Sequence, residues 1–425
     1  MPWWKPAKTE EGEEESKFRS VIDIGSEYIK ALVLELRGSE GFIIGTGKAA
    51  RQADSGEGED IYEATKLAKS CEEALRQAED MTEEIRGRKI VPDWAIIGIP
   101  GQWVRGIPCT IQRQRLKPQS RVSKRELDHL LERVQHLALL RACREMALSE
   151  AEICLVHTDI VGVTLDENAV SDPLHFRGRE ITVTVFDAFV ATVRLETLHA
   201  LTSELELEPL IALAQPYALA RSLRASDAIC LDIGGESTDI TLTKSGAVMN
   251  LSSIPWGGKR FTQCLSDFLS LPFEEAERLK RDYYHGWADE TTGNLIEGAL
   301  VAGARAWMER VQEVLRGSVG FQSLPHRLYL CGGGSLLPLL EKETRAFPWM
   351  DLLPFSRHPE IIILRPKDIP QLIDETHALV DGQDIPPMAL ACQALRPEGM
   401  RDNLQETLKE VSAREMNVYI RGGAL

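Results

Sequence analysis

The stretch CLDIGGESTDI (residues 230–240) decides how the rest of the chain is read. Asp232 closes an apolar strand, Gly234 and Gly235 make a turn, and Ser237 and Thr238 open the next strand. Glycine has no Cβ, so backbone N–H groups in such a turn can come close to an anion. The same frame occurs earlier in VIDIGSEYIK (residues 21–30), where Asp23-Ile24-Gly25-Ser26-Glu27 matches Asp232-Ile233-Gly234-Gly235-Glu236. A third turn, Gly332-Gly333-Gly334 followed by Ser335, sits inside RLYLCGGGSLLPLLEK. A single glycine turn says little, but two matched turns and a third predict a duplicated fold whose turns face one another across a ligand.

The flanking sequence repeats with the turns. Leu32, Leu34 and Leu36 alternate, residues 37–41 turn and 42–44 return, as a hairpin requires. A helix follows, with Asp60 and Glu63 placed as a capping box and an apolar face through Ile61, Ala64, Leu67, Ala68, Cys71, Leu75, Ala78 and Met81. In the second half, AICLDIGG enters its turn, ITLT leaves it, residues 244–246 turn and AVMNL returns. Residues 258–316 read as helical, ending with Ala304, Trp307, Met308, Val311 and Leu315 on one face and Gly317 as the stop. Between the halves, residues 100–190 carry their own signals. A helix opens at Ser123 with Glu126 in capping position and runs on Leu127, Leu130, Leu131, Val134 and Leu137, and ITVTVFDAFVATV reads as a strand. This is a small inserted α+β unit.

A chain of 425 residues exceeds one hydrophobic core. Its net charge of −16, without a lysine and arginine cluster, argues against a nucleic-acid partner. The eight cysteines are scattered with no C-x-x-C pair, which fits reduced thiols and a cytoplasmic location. The nine histidines, including His129 and His136, show no metal spacing. Tyr283, Tyr284 and Trp287 are read as packing residues or base-stacking ones. No apolar run reaches the ~18 residues of a membrane span.

The turns suggest a phosphate clamp. Gly25, Ser26, Gly234, Gly235, Ser237 and Thr238 offer N–H and hydroxyl groups, and Lys30 offers a positive charge. Asp23 and Asp232, each at a strand end, are placed to hold a hydrated Mg²⁺. Gly332, Gly333, Gly334 and Ser335 are placed to support a base or ribose. Glu27 and Glu236 stand inside the turns, where a carboxylate would repel phosphate. Two readings of Glu236 stay open: it points outward and leaves only its N–H to the ligand, or it orients an attacking water.

D-I-G-S-x-x-I-K, D-I-G-G-x-S-T-D and C-G-G-G-S-L-L-P resemble the two phosphate motifs and the adenosine motif of the actin, heat-shock chaperone and sugar kinase superfamily. Within it the chain is most similar to the bacterial cell-division actin FtsA and its type IV pilus relative PilM, over nearly all of residues 20–396. The resemblance implies an actin-like, ribonuclease H-like duplicated two-lobed α/β fold with an FtsA-type inserted α+β subdomain. It places the first lobe at 19–87 and 191–225, the insert at 88–190, and the second-lobe core at 226–257 and 326–397. A helical nucleotide-side subdomain takes 258–325, a disordered acidic tail 1–18 and a second tail 398–425.

It further implies ATP with Mg²⁺ as cofactors. Glu277 and Lys280 would face the ribose and base, and Gln215 would lie at the connecting helix where relatives orient the attacking water. The function implied is a slow ATPase or ATP-binding scaffold, polymerising under the membrane and linking the tubulin-like division protein FtsZ to it. The alternative is a PilM-like platform gripping a peptide of an inner-membrane pilus protein, and a second alternative is a small-molecule kinase, which would need an acidic base in the cleft. Leu404, Leu408 and Val411 recur at helical spacing in the second tail, but its four basic and four acidic residues lack the positive excess of a membrane-surface helix. Peripheral association at the inner face of the cell membrane would then come through partners.

Overall fold

A computed structural model describes residues 17–51, 60–223, 227–318 and 323–395. The readings of both tails, and of the side chains of Asp60, Ile61, Glu63 and Ala64, lie outside the described residues.

The chain opens with β1 (Phe18–Ile24), β2 (Tyr28–Arg37) and β3 (Glu40–Ala50), an antiparallel meander. Helix α1 (Asp60–Arg86) packs on it, and β4 (Trp94–Ile99) returns parallel to β1. The insert follows: β5 (Val104–Gln114), α2 (Lys124–Met146), β6 (Ile153–Leu165), β7 (Asn168–Ala169) and β8 (Glu180–Ala191), its sheet ordered β5-β8-β6-β7. Then α3 (Thr192–Glu204), β9 (Glu208–Ala214) and α4 (Gln215–Ser222) complete the first half. The second half begins with β10 (Ala228–Ile233), β11 (Thr238–Lys244) and β12 (Ala247–Ile254), again antiparallel. It continues with α5 (Gly258–Leu269), α6 (Phe273–His285), α7 (Glu290–Arg316), β13 (Arg327–Cys331), α8 (Pro338–Ala346), α9 (Trp349–Leu352), β14 (Glu360–Ile363), β15 (Leu372–Asp374) and α10 (Ile385–Ala391).

The duplication is visible in the strand order. The first sheet reads β3-β2-β1-β4-β9 with β15 added at the β3 edge, and the second reads β12-β11-β10-β13-β14. Each is a meander followed by two parallel strands, the second half differing in what is inserted between them. Parallel neighbours need crossovers, and helices supply them on the sheet faces. One core lies between the first sheet, α1 and α3, and another between the second sheet and the helices from α5 to α9. A third fills the layer between the two sheets, where α4 and α10 meet.

Two features differ from the sequence reading. β15 lies in the 326–397 range read as second-lobe core, yet it pairs with β3 of the first sheet. Three residues carry too little pattern to show which edge they join. In α2, Ser123 accepts the Glu126 N–H as a cap and Leu127, Leu130, Leu131 and Val134 are buried, but Leu137 is 44% exposed. The buried stripe follows steps of three and four through Ala138 and Ala142, and Leu137 sits one step off it.

Candidate functional site

The two turns are built alike. Residues 25–28 are closed by the Gly25 N–H donating to the Tyr28 carbonyl at 3.2 Å, and residues 234–237 by the Gly234 N–H donating to the Ser237 carbonyl at 2.8 Å. The second turn is also tied to α5: the N–H groups of Gly258 and Lys259 donate to the carbonyls of Gly234 and Gly235, both at 2.8 Å. Because a peptide plane points its N–H opposite its C=O, the N–H groups of Gly235 and Glu236 face away from α5. The Glu236 N–H indeed reaches across to Ser26 Oγ at 3.2 Å.

Between the turns lies a cavity of about 670 Å³, within the range usual for small-molecule sites. Of the residues expected from the sequence, it is lined by Asp23, Gly25, Ser26, Glu27, Lys30, Gln215, Asp232, Gly234, Gly235, Ser237, Glu277, Lys280, Gly332, Gly333 and Gly334. Three do not line it. Thr238 is buried beneath the turn, donating to the Trp256 carbonyl at 2.6 Å and accepting from Trp307 Nε1 at 3.0 Å. Ser335 turns back to donate to the Gly332 carbonyl at 2.7 Å. Glu236 points out of the cavity wall toward Lys259.

The floor is acidic. Asp23 accepts from Gln215 Nε2 at 2.7 Å, and Lys30 Nζ stands 3.8 Å from its other oxygen while also donating to the Gln383 carbonyl. Asp232 is paired in register with Asp239, as Asp23 is with Lys30. Burial first, then Asp239 and Asp23, push the Asp232 carboxyl up to about 7, and burial pushes Asp239 up to about 6. Burial also raises Asp23, against the pull of Lys30. Asp239 Oδ1 has no hydrogen-bond partner. Glycines make room for these acids: a Cβ on Gly332, at φ +78°, would stand 2.2 Å from Asp232 Oδ1, and one on Gly101 would stand 2.0 Å from Asp239 Oδ2.

These acids fit a hydrated divalent cation. Among the described residues no group of three or more His, Cys, Asp and Glu forms a direct metal cage, and Mg²⁺ needs none, since it keeps waters and uses one or two carboxylates.

At the other end, Lys280 is buried against Glu277 at 2.6 Å, the Gly258 carbonyl at 2.9 Å and Thr262 Oγ1 at 2.6 Å. Burial lowers the Lys280 pKa; Glu277, which burial alone would raise, is held below its ordinary value by Lys280 and its neighbours. Tyr284 lines the cavity and donates to Asp381 at 3.0 Å, Tyr283 donates to Glu297, and Trp287 is exposed and stacked on His285.

Sequence reasoning missed Lys48, Arg51, Asp239, Lys259 and Arg281, all of which line the cavity. Asp239 was available, because the turn length sets it opposite Asp232. Lys48 sits beside Lys30 only through the β2–β3 register.

The FtsA family profile, "Cell division protein FtsA", matches residues 229–348. The chain is 25% identical over 346 residues to the cell division protein FtsA of Bacillus subtilis, covering 75% of this chain and 73% of that one. It is 26% identical over 293 residues to FtsA of Neisseria meningitidis, covering 67% and 66%. A solved structure, the "PilM-PilN type IV pilus biogenesis complex", matches in fold with a TM-score of 0.59 at 19% identity, covering 88% of this chain and 98% of that one.

The chain has an actin-like fold and is similar in sequence to FtsA proteins. The profile match runs from β10 to α8 and so takes in the second turn, the Lys280 helix and the triple glycine. The cavity lies where the turns of the two sheets of this fold meet. No helix among the described residues is long and apolar enough to cross a membrane.

Proposed function

We propose that this protein binds an adenine nucleotide with Mg²⁺ in the cleft between its lobes and acts as an FtsA-like assembly protein of cell division, joining the division ring to the membrane. The observation that carries this reading is the pair of matched turns facing each other over three carboxylates, Asp23 and Asp239 buried and Asp232 half-buried, and Lys30. The backbone N–H groups of the turns, with Lys30, would hold the phosphates. Asp23 and Asp232, with Asp239, would hold the hydrated cation, which supplies charge neutralisation when bound. Gln215, tied to Asp23 at the floor, is the residue we assign to orienting a water, since Glu236 stands outside the cavity. Glu277 and Lys280 would border the ribose and base. The protein would be cytoplasmic and peripheral at the membrane, with FtsZ as partner and with self-assembly.

Calorimetric titration with Mg-ATP and Mg-ADP, beside an Asp232→Ala variant, tests the site: binding that the variant loses supports it, and no binding by the wild type removes it. A pilus-platform role is the second reading, favoured by the fold match across 98% of the PilM-PilN chain. Co-sedimentation with FtsZ polymers, set against capture of a pilus-protein peptide, separates the two.

A further inference from the structure

The two acids inside the turns have a shared partner. Lys259, the second residue of α5, places Nζ 2.7 Å from Glu27 Oε1 and 2.8 Å from Glu236 Oε1, so it joins the first-lobe turn to the second-lobe turn. The contact is close as well as charged. A Cβ built on Gly235 would stand 2.4 Å from Glu27 Cγ and 2.8 Å from Ser26 Oγ, so the Glu27 side chain lies directly against the opposing turn. Glu27 and Lys259 line the cavity, and Glu236 braces Lys259 from outside it. Burial works to lower the Lys259 pKa, but Glu236 and Glu27 outweigh it and hold the ammonium charged.

One ammonium answered by two carboxylates leaves a net negative charge at the tips of the turns. The outermost group of a phosphate chain lying between those tips would have to take Lys259 from Glu27 and then sit beside both acids. The neighbouring cations are drawn to other partners, Arg281 to Glu277 at 3.0 Å and to Tyr28, while Arg51, whose backbone N–H donates to the Glu27 carbonyl at 2.8 Å, also lines the cavity. Lys30 is engaged by Asp23 and Gln383, Lys48 by Gln383 at 2.7 Å, and Lys280 by Glu277. Phosphates held deeper, at the Gly25 and Gly234 turns and Lys30, do not meet this barrier.

We propose that Glu27, held in place by Lys259 and Glu236, limits the length of phosphate chain this cleft takes, favouring a nucleoside diphosphate over the triphosphate. The inference rests on the nucleotide reading above and makes it specific. Calorimetric titrations of the full chain with Mg-ADP and Mg-ATP, repeated on Glu27→Gln and on Glu27→Gln/Glu236→Gln, read the ratio of the two affinities. The wild type is expected to favour the diphosphate by about tenfold, the size of one charge contact at a partly solvated site. The Glu27→Gln variant, which keeps the side-chain shape, brings the ratio toward one, and the double variant brings it to one or reverses it. A wild-type preference for the triphosphate, or a ratio unmoved by both variants, overturns the proposal and leaves the nucleotide reading standing. No binding of either nucleotide to the wild type or the variants overturns both.

Discussion

Two hairpins with the same turn end in opposite chemistry. In the first, the strand-end acid Asp23 faces Lys30 across the β1–β2 ladder; in the second, Asp232 faces Asp239 across β10–β11. Backbone geometry has been conserved between the halves of the molecule while the charge at one register position is reversed. The first turn brings its own counter-ion, and its acid is raised by burial but drawn back by Lys30. The second has two acids, Asp232 raised by burial and by Asp239 to about 7, and Asp239 raised by burial to about 6. A symmetric scaffold thus carries an asymmetric site: one side is suited to phosphate, the other to a cation.

The change that strikes this asymmetry hardest is Lys30→Met. It leaves Asp23 without its cation and removes the tie to Gln383, and nucleotide binding measured by calorimetry should weaken about 100-fold, as when one partner of a desolvated charge pair is removed. Asp232→Asn should abolish the Mg²⁺-dependent part of nucleotide affinity, read by titration with and without EDTA.

Asp187 is the control for an acid buried away from the cleft. It lies in the insert, accepts from Thr158 at 2.5 Å and is pushed up to about 7, first by burial, with no place in the cavity lining. Because its folded value lies above its unfolded one, its contribution to stability is complete below the unfolded value and is lost as pH rises. The loss runs at about 1.4 kcal/mol per pH unit between about pH 4 and about pH 7. Asp187→Asn should remove that slope, seen in denaturant melts at pH 5, 6, 7 and 8, and leave nucleotide binding untouched. If Asp187→Asn weakened nucleotide binding as Asp232→Asn does, the contrast between cleft acids and merely buried acids would fail.

Thr238→Val asks whether the second turn's hydroxyl is structural. It leaves Trp307 Nε1 without its acceptor, so stability should fall by about 1–3 kcal/mol in denaturant melts with nucleotide affinity unchanged. Ser26→Ala should do least. It removes a long bond from the Glu236 N–H, and the loss should stay below about 1 kcal/mol.

The same contrast shows what could be read from sequence. The repeated D-I-G turns and their alternating flanks led to the two matched sheets, and the glycines and strand-end acids do line one cavity. The side-chain directions of Thr238 and Ser335 were hidden. Every residue of β11 from Thr238 to Thr243 is buried, so no polar alternation tells a cleft-facing hydroxyl from a core one. Lys48, Arg51 and Lys259 come to the cavity through pairing register and a helix start, which local patterns do not encode. The partner shared by Glu27 and Glu236, Lys259, could not be read locally because it stands more than twenty residues beyond the second turn's own acid.

The small strand β15 carries a mechanical consequence. After β14 the chain leaves the second sheet, lays Leu372–Asp374 along β3 of the first, and then sends α10 into the layer between the sheets. The halves are therefore connected by two separate passages of backbone, one after α4 and one after β14. A single passage would let one half swivel freely about the other. Two passages act as a pair of door pins, opposing twist and slide of one half past the other.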